Sequence, residues 1–385
     1  MPIEVVIKAI FVVALVVGVL APVMTWIERK QSAVMQDRIG ANRADFGGIT
    51  VIGLLHPLAD LIKLLTKEDL VPRGANRLMH LAAPAIAAIP AVIGFAVVPF
   101  AGVYEFGGET ISMVVANPDW GLLYIFAIGS IATYGTVMAG WSSNNNWSLL
   151  GGLRASAQMI SYEVTMGLSV VGIFMVFGTL QLQDMVVAQD GATIRMFAFL
   201  EWFGLTLPPW LQRFPFVLPA WGIVLQPLGF VLFLTTMMAE NKRPPFDIPE
   251  GDSELVAGYF LEYSGMRFGL FYMAEFIEVV VIAGVVTTVF LGGWAIPWVS
   301  TATLVGFIAP VFGEGFATGV CVIVHFLVFM LKLVAMIWLQ MAIRWTLPRF
   351  RYDQVMDLCW KRILPLSLAN IFITGAVLLL LRETP

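Results

Sequence analysis

The stretch AENKRPPFDIPEGDSELVAGYFLEYSGMRFGLFYMAEFIE, residues 239–278, holds eight of the chain's 26 acidic residues between two long apolar runs. They are Glu240, Asp247, Glu250, Asp252, Glu254, Glu262, Glu275 and Glu278. A carboxylate beside hydrocarbon is expensive, so a row of them in an apolar setting points to function. Pro244, Pro245 and Pro249 forbid a continuous helix there. The stretch is therefore expected to be an irregular loop entering a transmembrane helix, which membranes tolerate only where the backbone packs on protein or lines a wet cavity.

Composition fixes the setting. Of 385 residues, 59% are apolar and 12% charged, half the roughly one-quarter charge of a soluble domain. Mean hydropathy is +0.86. The fold class expected is an all-α integral membrane protein, one polytopic membrane domain over 1–385. Spans of about 20 apolar residues are expected near 3–25, 80–100, 121–141, 159–179, 216–239, 266–291, 318–343 and 361–381. Residues 3–25 are too long for a signal h-region and lack a small-residue cleavage site, so they are read as a retained first span. Cys321 and Cys359 are too few and too far apart for an iron–sulfur or zinc site. His56, His80 and His325 have no ligand spacing, and no Gly-rich phosphate loop follows a strand. Nucleotide or metal binding by this chain alone is not expected.

Eight spans leave both termini on one side. With this parity, seventeen Lys and Arg fall in the loops after odd-numbered spans and only Arg195 and Arg213 in the others. The positive-inside rule then puts the acidic stretch in the cytoplasm and the termini outside. Residues 194–212 and 293–315, both Pro-interrupted, are expected as outer-face hairpins or interfacial segments. Around 51–67, Leu54, Leu55, Leu58, Leu61, Ile62 and Leu65 share one helical face, with Asp60, Lys63 and Lys67 on the other. This is an interfacial amphipathic helix, read either as a lipid-facing anchor or as one wall of an opening for a lipid-soluble molecule.

Several ionisable residues admit two readings. Glu163, at the start of the fourth span with Arg154 nine residues earlier, fits a structural ion pair or a titratable proton carrier. Glu275 and Glu278 share a face of the sixth span, and Lys332 is the basic residue well inside the seventh. Lys332 with these acids fits a packing pair or a relay in which the ammonium tunes the carboxylates. His325 is read as a packed core residue.

ERK at 28–30, DRIGANR at 37–43, PLADLIKLLTKED at 57–69, LRASAQMISYEV at 153–164, the 239–265 run and PRFRYDQVMDLCWK at 348–361 follow one another in a known order. Together they resemble the quinone-site membrane subunit family of respiratory complex I over nearly the whole chain. The resemblance implies about eight tilted spans and a proton-pumping NADH-quinone oxidoreductase, with quinone bound as substrate where this subunit meets its partners. NADH, FMN and iron–sulfur clusters would lie only on other subunits. Implied partners are soluble quinone-site and iron–sulfur subunits, small membrane subunits, antiporter-like subunits and lipid, with no nucleic acid. The implied location is the bacterial inner membrane, or the mitochondrial one. By matched motif, Arg29, Arg38, Asp60 and Lys63 would line the quinone passage. Glu163, Glu240, Glu250, Asp252, Glu254, Glu262 and Glu275 would form the acidic path. Arg154, Lys332 and Arg344 would be its cationic partners, and Arg349, Arg351 and Asp353 an interface loop. Asp252 stands where a Glu is common, Ala41 where a Pro is usual and His56 where a Gln is usual. Glu278 has no clear counterpart, and 293–315 is longer than usual. A hydrogenase-type complex using the same scaffold and a self-contained ion transporter are the other functions consistent with the sequence.

Overall fold

The computed structural model describes residues 3–106, 109–195, 217–248 and 258–383. Seven helices among them are long and apolar enough to cross a membrane: α1 (Ile3–Met35), α3 (Arg77–Val97), α4 (Gly121–Ser142), α5 (Asn146–Phe177), α8 (Gly265–Phe290), α10 (Glu314–Thr346) and α11 (Tyr352–Leu380). Between them lie the interfacial helix α2 (His56–Thr66), the short α6 (Leu182–Gln189), and α7 (Pro227–Glu240) and α9 (Thr301–Phe312). Two small antiparallel strand pairs, Val103–Phe106 with Glu109–Ser112 and Thr193–Arg195 with Val217–Pro219, also occur among the described residues. The architecture is that of an all-α membrane protein.

The expected fifth span differs from a plain helix. Residues 216–239 contain a strand, a four-residue helical turn at Gly222–Leu225 and then α7. Gln226 is non-helical (φ −136°), and Pro227, having no N–H to lose, opens α7. Fourteen residues reach about 21 Å, short of the ~30 Å hydrocarbon core. Contacts at one end of the bundle show that α7 nonetheless runs in the direction an eighth segment must. Glu28 near the end of α1, Arg243 after α7 and Arg344 near the end of α10 meet there. At that same end Asn76 N–H donates to Ser142 O at 3.0 Å, Ser148 Oγ to Tyr259 O at 3.0 Å, and Phe350 N–H to Pro245 O at 3.0 Å. The starts of α3, α5, α8 and α11 thus sit beside the finishes of α1, α4, α7 and α10. This is the basic end.

Several helices overrun the expected spans: α1 continues to Met35, α5 begins at Asn146 and α11 at Tyr352. A hydropathy window finds the part that matches hydrocarbon. Beyond it the turns of α1 and α11 carry paired charges, and α5 is capped by Asn145. Glu163, expected at the start of its span, consequently sits mid-way along a 32-residue helix. The 194–212 segment falls almost wholly outside the described residues. In the other ambiguous region, α9 is a twelve-residue helix packed on α10, too short to cross alone.

Helix α8 is the axis: 89% of its most apolar window is buried, against 17% for α1 and 22% for α11. Peripheral helices therefore keep wide apolar faces for lipid or neighbouring proteins. Close packing uses glycine where backbones touch, the usual device when no hydrophobic force drives helices together in lipid. A Cβ on Gly135 would come within 2.7 Å of Ala87 N, at the α3–α4 crossing. Gly135→Val should destabilise by about 1–3 kcal/mol or more through overpacking, read as a lower thermal midpoint. Gly167→Ala, whose added carbon meets nothing within 4 Å, should leave the midpoint unchanged.

Candidate functional site

At the basic end Glu28, 7% exposed, is held between two guanidinium groups. Its Oε2 accepts from Arg243 Nη1 at 3.0 Å, and its Oε1 accepts from Arg344 Nη1. Arg243 lies over the Phe276 ring, 4.2 Å from its centroid. Burial opposes the Arg243 charge, but Glu28 and Glu275 outweigh it, and the guanidinium holds its proton more tightly than usual. The cluster ties α1, the loop after α7, and α10 beside the middle of α8, where Phe276 lies.

Beside it the acids gather. A cavity of about 60 Å³ is lined by Glu240, Asn241 and Glu278 with Met159, Met166, Phe126 and other apolar side chains. At roughly 10–15 Å³ per water, it has room for a few molecules. Glu163 accepts from Ser130 Oγ on the facing helix α4, and Glu240 lies within electrostatic range of Glu163, Glu278 and Lys242. Gly129 makes room for Glu240, whose Oε1 is 3.3 Å from where a Cβ would stand. Glu275, 8% exposed, accepts from Tyr259 Oη at 3.4 Å, and Lys242 stands 5.5 Å from the Tyr259 ring centroid. Four expected or suspected acids, Glu163, Glu240, Glu275 and Glu278, therefore share one neighbourhood. Glu262 sits further out, accepting from Asn145 Nδ2 at 2.7 Å. Glu250, Asp252 and Glu254 lie outside the described residues.

The second group forms on α2. Asp60 pairs with Arg29 of α1, and Lys63 approaches Asp60 at 3.7 Å. Leu64 packs against Gly269 of α8, while Leu58, Leu61, Ile62 and Leu65 are exposed. The expected apolar face thus points outward beside a charged lip. Arg38 does not join the trio; its Nε donates to Gln36 at 2.6 Å in the following loop. His56 Nε2 accepts from Ala44 N–H at 3.3 Å and fastens that loop to α2.

The expected cationic partners divide. Arg344 is part of the Glu28 cluster. Arg154 is exposed and has no carboxylate partner among the described residues. Lys332 lies elsewhere: its ammonium donates to the carbonyls of Leu291, Gly293 and Ala295 at 2.7, 3.0 and 2.6 Å. It also sits 4.1 Å from the Trp221 ring centroid. Lys332 caps the far end of α8, about 20 Å of helix from Glu278 at 1.5 Å per residue. Unsatisfied carbonyls at a helix C-terminus also attract a cation, a choice spacing does not reveal. Asp247 pairs with Arg349 at 3.0 Å, linking the acidic loop to the loop before α11, while Arg351 pairs locally with Asp353 at 3.3 Å. His325 is a packed residue as expected, bonded through Nδ1 to Tyr104 Oη at 2.6 Å. Sequence reading passed over Glu28, although it heads the ERK motif, and gave Asn241 no role.

Among the described residues no three His, Cys, Asp or Glu side chains come together as metal ligands. The NADH dehydrogenase family model matches residues 7–375. The chain belongs to that family. A Geobacter metallireducens protein, named as a subunit of NADH-quinone oxidoreductase, is 44% identical over 365 residues, covering 95% of this chain and 94% of its own. The correspondingly named protein of Bdellovibrio bacteriovorus is 42% identical, covering 93% and 91%. That of Thermomicrobium roseum is 43% identical, covering 92% and 90%. With its long apolar helices and bacterial relatives, this NADH dehydrogenase family member is a multi-pass inner-membrane protein.

Removing one partner of a buried ion cluster leaves uncompensated charge and costs about 3–5 kcal/mol. Glu28→Gln, which strands two guanidinium groups, should fall in that range by thermal or denaturant unfolding. Asp60→Asn breaks a partly exposed pair worth about 0–1 kcal/mol and should leave stability nearly unchanged.

Proposed function

We propose that this chain is the membrane subunit of a proton-pumping NADH-quinone oxidoreductase that closes the membrane end of the quinone cavity and carries an acidic path to the membrane arm. What carries the reading is the full-length similarity to proteins named as one and the same subunit of that enzyme. The grouping of acids around one cavity supports the path. Electrons would arrive from NADH through redox groups on partner subunits, and quinone is the substrate.

Each part then has a physical task. The apolar face of α2 guides a lipid-soluble molecule along the membrane boundary, and the Arg29–Asp60–Lys63 lip meets a polar head group. Reducing a quinone takes up two electrons and two protons, changing charge in a poorly solvated chamber. The Glu28 cluster, a tightly paired charge, holds α1, α7 and α10 so that this change acts on fixed neighbours. Glu275, Glu278, Glu240 and Glu163 form a coupled group whose proton affinities belong to the set rather than to one member. Loss of a proton at one end changes occupancy along the group, and Ser130 and Tyr259 supply hydroxyls that follow it. Lys332 secures the far end of α8, which carries two of these acids.

Glu240→Gln keeps the cavity's shape and removes one titrating site. In the assembled enzyme it should lower the number of protons moved per quinone reduced and slow turnover by tenfold or more, about 1.4 kcal/mol of barrier. Unchanged quinone reduction together with unchanged pumping would remove the acids from the mechanism. Co-purification with flavin- and cluster-bearing chains under gentle detergent should accompany activity. Ion transport by this chain alone in liposomes would contradict the assignment.

A further inference from the structure

Asn241 belongs to two cavities at once. It lines the 60 Å³ chamber with Glu240 and Glu278, and also a smaller one of about 10 Å³ bounded by Arg243, Gln340, Arg344 and apolar side chains. Asn241 is 2% exposed. Two side-chain atoms of residues lining the small cavity have no partner in the protein: Asn241 Oδ1, an acceptor, and Arg243 Nε, an obligate donor. An orphaned buried polar group costs about 1–3 kcal/mol, more when charged, and such groups are usually satisfied by an ordered water. The volume fits one water, which needs roughly 10–15 Å³. A cation would face two guanidinium groups, and an anion would face the amide oxygen.

We propose that a single water molecule occupies this cavity, accepting from Arg243 Nε–H and donating to Asn241 Oδ1, and that Asn241 is thereby the joint between the Glu28–arginine cluster and the acid chamber. Arg243 already spends Nη1 on Glu28, so a shift in that pair turns the whole guanidinium plane and with it the Nε–H. The water and the Asn241 amide pass that reorientation to the wall that also carries Glu240. No bond to hydrogen is broken in the joint; it transmits orientation, and the carboxylates hold the protons. Asn241 is a positioning residue here.

The joint rests on the reading of the acids as a proton path, whereas the water site does not. The test is a density map of the assembled enzyme, at a resolution that shows ordered waters, for the native chain and for Asn241→Asp and Asn241→Leu. The expected result is one water within hydrogen-bond distance of Arg243 Nε and residue 241 in the native and Asp forms, lost in the Leu form. Asn241→Leu should also lower the ratio of protons moved per quinone reduced, and Asn241→Asp should restore it. A native map with Arg243 Nε bonded directly to a protein atom, and no water between, would overturn the site. Water present with an unchanged ratio in Asn241→Leu would overturn the joint. If Glu240→Gln leaves pumping intact while the water is seen, it is the functional reading that fails and the water site that stands.

Discussion

A carboxylate taken out of water must be paired, hydrated or neutralised, and this constraint shapes the basic end of the molecule. Glu28 meets it by pairing. Enclosed among α1, α8 and α10, it is held by Arg243 and Arg344, which come from segments more than 200 residues away in sequence. That cluster fixes where the loop after α7 returns to the bundle. The loop carries Asn241, Lys242 and Arg243, and behind it α7 brings Glu240 to the chamber wall. A buried ion cluster of this kind contributes little net stability against an apolar alternative. Its consequence is geometrical: three segments meet in one register.

The acids nearby satisfy the same constraint by a different route. Glu163 and Glu275 each accept a hydroxyl donor, and Glu240 and Glu278 line a small chamber with Lys242 in electrostatic range but no direct ion pair among the described residues. Glu28 is clamped between two guanidinium groups, whereas its neighbours have no ion pair of that kind among the described residues; under the proposed function the first is scaffold and the second the responsive part. Lys332, which by spacing belonged with the acids, joins the scaffold instead by capping α8.

Much of this was legible in the sequence. Apolar runs gave the crossing helices, basic residues gave the shared end, and the amphipathic period over residues 51–67 gave α2, which the structure places at His56–Thr66. The motifs carried the family. What stayed hidden depended on partners distant in sequence. Glu28 lay at the head of a quoted motif, but nothing local announced two arginines from other loops. Lys332 had carboxylates at plausible spacing, and only the three-dimensional path of residues 291–295 shows carbonyls closer to hand. The break at Gln226 inside the expected fifth span was not legible, because hydropathy does not register a non-helical residue. Glu163 moved to the middle of its helix because α5 extends past its apolar core to a cap in which Asn145 Oδ1 accepts from Trp147 N–H at 3.0 Å.

The central claim is that the carboxyls around the α7–α8 chamber respond together when quinone is reduced nearby. Infrared difference spectroscopy of the assembled enzyme, recorded across quinone reduction, reads protonated carboxyl C=O bands directly. The account predicts a carboxyl signal that is reshaped as a whole, not merely reduced by one band, when any one of Glu163, Glu240 or Glu278 is replaced by Gln. A spectrum in which these replacements leave the carboxyl region unaltered, with quinone reduction still visible, would contradict it.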